Sequence, residues 1–570
     1  MIIGYTITTS VLISFVVLIF AVIFYRKNLN SLLKKHINKY TLLGLVLILA
    51  FFISLMLIFI HPVEQLFFDE NIYQGIALNI VHSGNSLWCQ YGTGLLTHCY
   101  SNQLYHDPVG IFVFLGIVLM LFGPGPQTAY NFQLFIGILS IIGVFLLSSI
   151  ITERKALAPI STFIFSLIPE VIIWSRTQAA PDLYFMMFTT FSFFFFIVFT
   201  KNENKTTLIL FLSSLSLAFY SRIESFLLMP IFIILYFIFG DAQIKVTIKK
   251  RAMLLKRMIS DYNWLIILLF FFLIFASQGL YIYLENQSPQ YGQASNQSVI
   301  SISNFKQNIT PNAEFLLGTT TNYPSISSIN LLALAILGFI FIIIFKRIKN
   351  RLGIFLMLIL SILLFFIFYT SFYAGSVNYG VDVRFMLELM PFIAIAAGFG
   401  VLGLTDIVYF GFKKLLKVKK EVFLLILSTI LIITVIIPFY LIIPYITIPV
   451  NEMPQEYFNT QATSFIYNNY QKVPTSCLVF SFTPDIWYEL NRSAAQVSYM
   501  SELNSNTSNN LFKNYSCFVF DYGYWCTVSE FSSSTCGSQL FSYNTSVLAT
   551  ERNSEGSNFT LYKINNATSK

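Results

Sequence analysis

The chain has 570 residues, of which 56% are hydrophobic and only 11% charged, with a mean hydropathy of +0.70. A soluble globular chain carries roughly 25% charged residues, so the composition excludes that class and specifies an integral membrane protein. The net charge of +8 lies in short Lys/Arg clusters between apolar runs, the pattern that orients membrane helices, and no nucleic-acid partner is expected.

Crossing about 30 Å of hydrocarbon takes about 20 apolar residues. Runs of that kind recur over the first 445 positions, and because they are continuous rather than alternating they predict helices, not the strands of an outer-membrane barrel. Basic clusters at 25–39, 153–155, 201–205, 245–257, 346–351 and 413–420 fall between them. With every cluster in the cytoplasm, the spans between clusters come in pairs. They are predicted at 4–25, 40–61, 130–150, 156–173, 183–200, 206–220, 223–240, 262–284, 328–345, 352–372, 386–408 and 421–445, about twelve crossings with both ends outside. Three regions follow: 1–39, an additional N-terminal helix with a basic cytoplasmic loop; 40–445, a transmembrane domain; and 446–570, an extracytoplasmic domain. The reading is of a multi-pass plasma-membrane protein.

The second span delivers the chain into an outer loop, 62–129, that opens with FFDENIYQGIALNIVHSG (Phe67 to Gly84) and so places Asp69 and Glu70 just beyond the apolar run. Within the loop, PVGIFVFLGIVLMLFG (Pro108 to Gly123) is about 16 residues, short for a span. A crossing there would move every later basic cluster outside, so the segment is expected to be re-entrant or interfacial. WSRTQAAPD (Trp174 to Asp182), YSRIE (Tyr220 to Glu224) and NYGVDVRF (Asn378 to Phe385) reach the same face. Charges from four separated segments thus collect at one side of the membrane.

All six cysteines fall on that side: Cys89 and Cys99 in the loop, then Cys477, Cys517, Cys526 and Cys536 in the C-terminal region. An even count on one face predicts disulfides in an oxidising space. Cys89 with Cys99 is the expected pair, and the other four leave three pairings open. A zinc site is disfavoured, because the region has no CxxC and no histidine. Residues 446–570 are rich in Ser, Asn, Thr and Tyr, with β-prone runs such as CLVFSF and CFVFDYGYW between turn residues, which predicts a small α/β or mainly β domain. Glycosylation sequons concentrate on this face, at Asn286, Asn296 and Asn308 in an outer loop and at Asn491, Asn506, Asn514, Asn544, Asn558 and Asn566 in the C-terminal domain. A tenth, Asn204, falls in a cytoplasmic loop and is expected to be unused.

Asp69 and Glu70 would suit the positive end of a helix dipole in any protein. Facing acids and arginines at a water–membrane boundary, they are also placed to take a proton from an acceptor while a lipid-borne leaving group departs. YHDP (Tyr105 to Pro108) adds His106 and Asp107, with His106 either a general acid or ligand or a plain surface histidine. Asp182 begins a span, where an N-cap is the competing role. Arg222 and Glu224 sit in a tight connection and either serve the site or pair with each other. Arg384, in the segment that also holds Tyr379, is either a snorkelling interfacial residue or a bidentate clamp for a lipid phosphate.

The stretches DENIYQGIALNIVHSG and YHDPVGIFVFLGIVLMLFG resemble the first outer loop of the GT-C glycosyltransferases, above all the dolichyl-phosphate-mannose protein mannosyltransferases and the bacterial aminoarabinose transferase of lipid A. The similarity continues through SRTQAAPDLYFMMFTTFSFFF, AFYSRIESFLLMP and VRFMLELMPFIAIAAGFGV, covering roughly residues 40 to 410. It implies a GT-C fold and inverting transfer of a sugar from a polyprenyl (dolichyl) phosphate donor to a lipid, glycan or protein acceptor at the extracytoplasmic face. By position, Asp69 would be the catalytic carboxylate with Glu70 beside it. His106, Asp107, Asp182, Arg222, Glu224, Tyr379 and Arg384 would bind substrate, Arg384 through the carrier phosphate. A divalent ion, Mg²⁺ or Mn²⁺, would have Asp69 and Asp182 as its oxygen ligands. The chain departs from the family's Lys-Pro-Pro or His-Pro-Pro motif in having His106-Asp107-Pro108, and it lacks a WWDYG-type motif and evident MIR repeats.

Two other classes compete. A transporter or flippase for lipid-linked saccharides would carry charges near mid-membrane and an internal repeat. A non-catalytic surface glycoprotein anchored by a helical bundle would not need about twelve crossings.

Overall fold

A computed structural model describes residues 2–58, 69–94, 99–100, 105, 109–177, 179–239, 244–285, 300–317, 329–345, 348, 350–373, 375–376, 381–412, 426–427, 429–430, 454–504, 512, 514–527, 536, 540, 543–553 and 556–566. Among the described residues the α-helices of six or more residues are α1 (Ile2–His36), α2 (Lys39–Ile58), α3 (Asp69–Ser83), α4 (Gly110–Phe122), α5 (Pro126–Ile151), α6 (Leu157–Ser166), α7 (Pro169–Trp174), α8 (Pro181–Asn202), α9 (Lys205–Phe219), α10 (Leu228–Ile238), α11 (Ile244–Ser260), α12 (Tyr262–Glu285), α13 (Ile302–Leu317), α14 (Ile329–Ile344), α15 (Arg351–Ser371), α16 (Met390–Phe412), α17 (Pro454–Asn469) and α18 (Pro484–Glu489). Among the described residues seven helices are long and apolar enough to cross a membrane, and five shorter apolar helices accompany them. Eleven of the twelve expected spans coincide with helices; nearly all of the twelfth, 421–445, lies outside the described residues.

Three spans differ from expectation in form, of which the 223–240 run begins as a 3₁₀ turn, Ile223–Leu227, and becomes α-helical only at Leu228. The 156–173 run breaks into α6 and α7, because Pro169 has no N–H to extend a helix and instead takes the first position of a new one. The 386–408 run begins as a 3₁₀ segment, Val381–Leu389, and becomes α-helical only at Met390, next to Pro391 in the first turn. The short apolar run appears as α4, 13 residues or about 20 Å, too short to span. It lies against α3 so closely that a Cβ at Gly116 would meet the Ala77 carbonyl at 2.9 Å.

The centre of the bundle is α8 and α16, buried along nearly their whole length. Phe193 of α8 meets Phe392 of α16 edge-to-face at 5.0 Å. On the far side of α16 a Cβ at Gly338 would collide with the Ala396 carbonyl and one at Gly400 with that of Leu334, so two glycines let α14 and α16 touch backbone to backbone. The 22 residues of α8 span about 33 Å. Asp182 stands at one end of it and Lys201 at the other. The Lys201 end is pinned by basic side chains: Lys201 Nζ donates to the Ile150 carbonyl at 2.8 Å, Arg251 to Glu203 and the Thr200 carbonyl, and Arg154 to Asp406 at 2.6 Å.

At the Asp182 end sits a seven-stranded sheet of order β2-β1-β4-β3-β5-β7-β6, with β1 Tyr91–Gly92, β2 Cys99–Tyr100, β3 Cys477–Ser481, β4 Ser493–Gln496, β5 Cys517–Tyr522, β6 Asn544–Arg552 and β7 Asn558–Asn566. β3 runs parallel to β4 and β5, and the remaining pairs are antiparallel. Alternation divides β3 between faces: Leu478 and Phe480 pack with Phe520 and Tyr91, while Val479 joins Val519, Leu561 and Phe465. The C-terminal domain is therefore a mixed α/β unit, and β1 and β2 of the first loop belong to its sheet. The disulfides are Cys89–Cys99, as expected, with Cys477–Cys517 across β3 and β5 and Cys526–Cys536.

Of the sequons, Asn491, Asn514, Asn544 and Asn558 are exposed, and Asn286, Asn296 and Asn506 lie outside the described residues, as does the side chain of Asn566. Asn308 is a correction. It lies in α13, 2% exposed, with Nδ2 donating to the carbonyls of Thr370 and Phe372, so its amide is not presented for glycosylation. Asn204 caps α9 by accepting from the Thr207 N–H.

Asp521 on β5 is 3% exposed and accepts from Ser481 Oγ at 2.8 Å and Trp487 Nε1 at 3.1 Å. Burial pushes its carboxyl up to about 6, against which the two hydrogen bonds pull down. The folded state thus binds the Asp521 proton more tightly than the unfolded chain does, and its contribution to stability is lost as pH rises from about 4 to about 6. The expected loss is about 3 kcal/mol, at about 1.4 kcal/mol per pH unit. Thermal unfolding of wild type and Asp521→Asn across pH 4–7 checks this: the difference between their midpoints should change through that window and stay flat above it.

Candidate active site

The first turn of α3 presents Asp69 because the chain emerges from α2 and restarts as a helix there, with acids suited to its N-terminus. Pro181 starts α8 and puts Asp182 in its first turn. Between α9 and α10 a tight 3₁₀ turn, Ile223–Leu227, carries Arg222 just before it and Glu224 within it. The 3₁₀ segment Val381–Leu389 carries Arg384. These four segments, separated by as much as the transmembrane domain allows, meet at one end of the bundle.

They form a ladder of alternating charge. Asp69 Oδ2 lies 4.0 Å from Arg384 Nη2, and Arg384 Nε lies 3.8 Å from Asp182 Oδ2. Asp182 Oδ1 lies 3.5 Å from Arg222 Nη1, and Arg222 closes on Glu224 through Nη2 at 2.9 Å and Nε at 3.2 Å. Both guanidinium carbons stand over the Phe385 ring, at 5.1 Å for Arg222 and 5.3 Å for Arg384, and Tyr369 stacks on the same ring. Asp182 is fully buried, Glu224 and Arg222 nearly so. The two arginines differ in how they are held. Arg222 is fixed by a fork-to-carboxylate pair, whereas the distances from Arg384 to its two carboxylates are those of ion pairs, longer than hydrogen bonds.

Asp69 Oδ1 accepts a hydrogen bond from Tyr105 Oη. Tyr105 is in turn held by Tyr281 of α12, whose Oη donates to the Tyr105 carbonyl, and by the rings of Tyr73 and Trp88 at 5.9 and 5.6 Å. One oxygen of Asp69 is thereby engaged, and the other faces Arg384.

The structure brings together Asp69, Asp182, Arg222, Glu224 and Arg384 from the sequence reading, and Glu70 is buried beside Asp69 on α3. His106, Asp107 and Tyr379 lie outside the described residues. Reasoning from sequence missed Tyr105, although it stands in the quoted YHDP. It also missed Glu388, on the same 3₁₀ segment as Arg384, fully buried and within electrostatic reach of Asp182, Arg222 and Glu224. An acid inside an apolar run, FMLELMP, was the available signal.

Between Asp69 and Asp182, the expected oxygen ligands of a divalent ion, stands the Arg384 guanidinium, 4.0 Å from the first and 3.8 Å from the second. Among the described residues no three His, Cys, Asp or Glu side chains gather to hold a metal.

Residues 106–277 match the family described as dolichyl-phosphate-mannose-protein mannosyltransferase. No curated protein matches the chain. Among solved structures, ArnT from Cupriavidus metallidurans bound to undecaprenyl phosphate is similar with a TM-score of 0.54 at 10% identity, over 94% of this chain and 100% of that one. The apo state of that protein is similar with a TM-score of 0.53, again at 10% identity, over 93% of this chain and 99% of that one. At this identity the likeness is one of fold. The fold is of the GT-C type, as the sequence resemblance implied.

Proposed function

We propose that the protein is a membrane glycosyltransferase that moves a sugar from a polyprenyl phosphate carrier to an acceptor, with inversion, at the extracytoplasmic face. The observation that carries this reading is Arg384, suspended between Asp69 and Asp182 at ion-pair distances with a candidate base on one side. The match to a family of dolichyl-phosphate-mannose users and the fold shared with a protein that binds undecaprenyl phosphate support the donor class. The disulfides at the Asp182 end and the basic residues at the Lys201 end support the sidedness.

In the proposed step the acceptor's O–H or N–H gives its proton to Asp69 Oδ2 as the heteroatom bonds to the anomeric carbon. The bond from that carbon to the phosphate oxygen breaks, and polyprenyl phosphate leaves with an additional negative charge. Arg384 meets that charge, bidentately where the phosphate presents two oxygens. Asp182 keeps the guanidinium in place, and Arg222, itself paired with Glu224, stands against the other oxygen of Asp182. Phe385 and Tyr369 form the apolar floor beneath both arginines.

The test uses purified protein in lipid vesicles with polyprenyl-phosphate sugars and a panel of lipid, glycan and peptide acceptors. Release of polyprenyl phosphate in step with a glycosylated acceptor is expected. Movement of intact lipid-linked sugar between leaflets, without release, would replace the transferase with a flippase.

A further inference from the structure

The C-terminal domain packs against the helix that begins with the candidate base, with Asp485 at the contact. α18 packs on α3, and Asp485 in its first turn is fully buried with its carboxyl laid against Gly75 of α3. A Cβ at position 75 would overlap Oδ1 and Cγ of Asp485, so this approach requires glycine in the helix that begins with Asp69. A glycine inside a helix is unfavourable against alanine, and here the place of the missing methyl is taken by a carboxyl from another domain.

The other side of that carboxyl faces the first loop. The indole of Trp88 lies within electrostatic reach of Asp485, as do Glu489 and Tyr488, and neither Trp88 Nε1 nor either Asp485 carboxyl oxygen makes a hydrogen bond among the described residues. Trp88 meets the Tyr105 ring edge-on at 5.6 Å, and Tyr105 Oη donates to Asp69. The loop itself is fastened to the domain just beyond Trp88. Tyr488 Oη donates to the carbonyls of Cys89 and Ala494 at 3.4 and 3.2 Å, Gln496 N–H donates to the Gln90 carbonyl at 2.9 Å, and Tyr91 pairs with Ala495. Two routes therefore lead from Asp485 to Asp69, one along α3 from Gly75 and one through Trp88 and Tyr105.

We propose that Asp485 is a positioning residue for the glycosyl-transfer site, bracing α3 and Trp88 so that Tyr105 holds Asp69 toward Arg384; this rests on the transferase reading above. The C-terminal domain is then part of the catalytic apparatus rather than an appendage to it. Burial also holds the Asp485 carboxyl well above the usual carboxylate range, which favours its neutral form. A side chain of that shape and charge has a close substitute in asparagine and none in alanine.

The experiment compares wild type, Asp485→Ala and Asp485→Asn in lipid, reading kcat and donor KM over pH together with amide hydrogen exchange along residues 69–83. Misplacing a catalytic group by about 1 Å costs up to about 100-fold. Asp485→Ala is expected to lower kcat about 10- to 100-fold at unchanged donor KM, to move the acid limb of the pH profile that reports Asp69, and to speed exchange in α3 alone. Asp485→Asn should recover kcat to within about threefold. Wild-type turnover in Asp485→Ala would overturn the positioning role and leave the transferase reading standing. So would faster exchange throughout the C-terminal domain with equal loss in both variants, which marks a fold defect. A wild type that releases no polyprenyl phosphate would overturn the transferase reading and this inference with it.

Discussion

Asp69→Asn is expected to slow sugar transfer by about 10²- to 10⁴-fold while donor binding survives. The substitution keeps the shape of the side chain and its place at the start of α3, and it removes the lone pairs that take the acceptor's proton. Tyr105 Oη can still donate to the amide oxygen, which leaves the NH₂ group toward Arg384 where a carboxylate oxygen stood 4.0 Å from Nη2. Loss of rate should therefore come with a modest rearrangement of Arg384 and not with unfolding. The check is single-turnover transfer from bound donor, with donor affinity measured separately. A variant that turns over like wild type would move the base to another carboxylate, with Glu70 the nearest in sequence.

Removal of Arg384 has the second large effect, and it acts on both rate and stability. Taking away a preorganised donor to a developing oxyanion costs about 10²- to 10³-fold. Arg384→Ala also leaves Asp182, fully buried, with one of its two cations gone and facing Asp69 across the gap. Breaking a buried pair in this way costs about 3–5 kcal/mol. Arg384→Lys separates the two effects. A lysine restores the positive charge, so the thermal midpoint should return most of the way to wild type, while the point charge cannot reproduce the planar fork that meets phosphate oxygens and the Phe385 face together. Transfer in the Lys variant is therefore expected to stay depressed by at least about tenfold with near-normal stability. Equal recovery of rate and stability would reduce Arg384 to a structural ion pair.

The part of this site that the sequence disclosed is the part governed by long-range physics. Charges are expensive inside the bilayer, so Asp69, Asp182, Arg222, Glu224 and Arg384 had to lie at an end of their spans, and the basic clusters told which ends share a side. Convergence of four segments followed from sidedness alone. The residues that escaped are those whose role comes from short-range contact. Tyr105 is an ordinary aromatic until Asp69 is beside it. Gly75 reads as a weak point in a helix until Asp485 fills the space. β1 is two residues long and has no local signal, because its partner is Ala494–Ala495 at the other end of the sequence. Asn308 shows the same limit from the opposite side, for a sequon is a triplet and burial is not written in three residues. Helix form was lost in the Ile223–Leu227 turn, at Pro169 and next to Pro391, and at the two prolines a hydropathy window averages over the residue that decides the geometry.

The sheet shared between the first loop and the C-terminal domain sets the order in which this protein can be made. The β1–β2 hairpin leaves the ribosome early and then waits roughly 400 residues for the strand it pairs with. Strands of two residues are far too short to hold a hairpin in water. The Cys89–Cys99 bond closes a ten-residue interval and can form before any later span exists, so it keeps the hairpin's partners together through the delay. The later segment has the converse problem. Until it finds that hairpin, β4 is a bare sheet edge, with unpaired N–H and C=O groups that would accept a strand from any neighbouring chain. A C-terminal domain cut loose from the first loop would carry that edge permanently, and its solubility would depend on the loop it had lost.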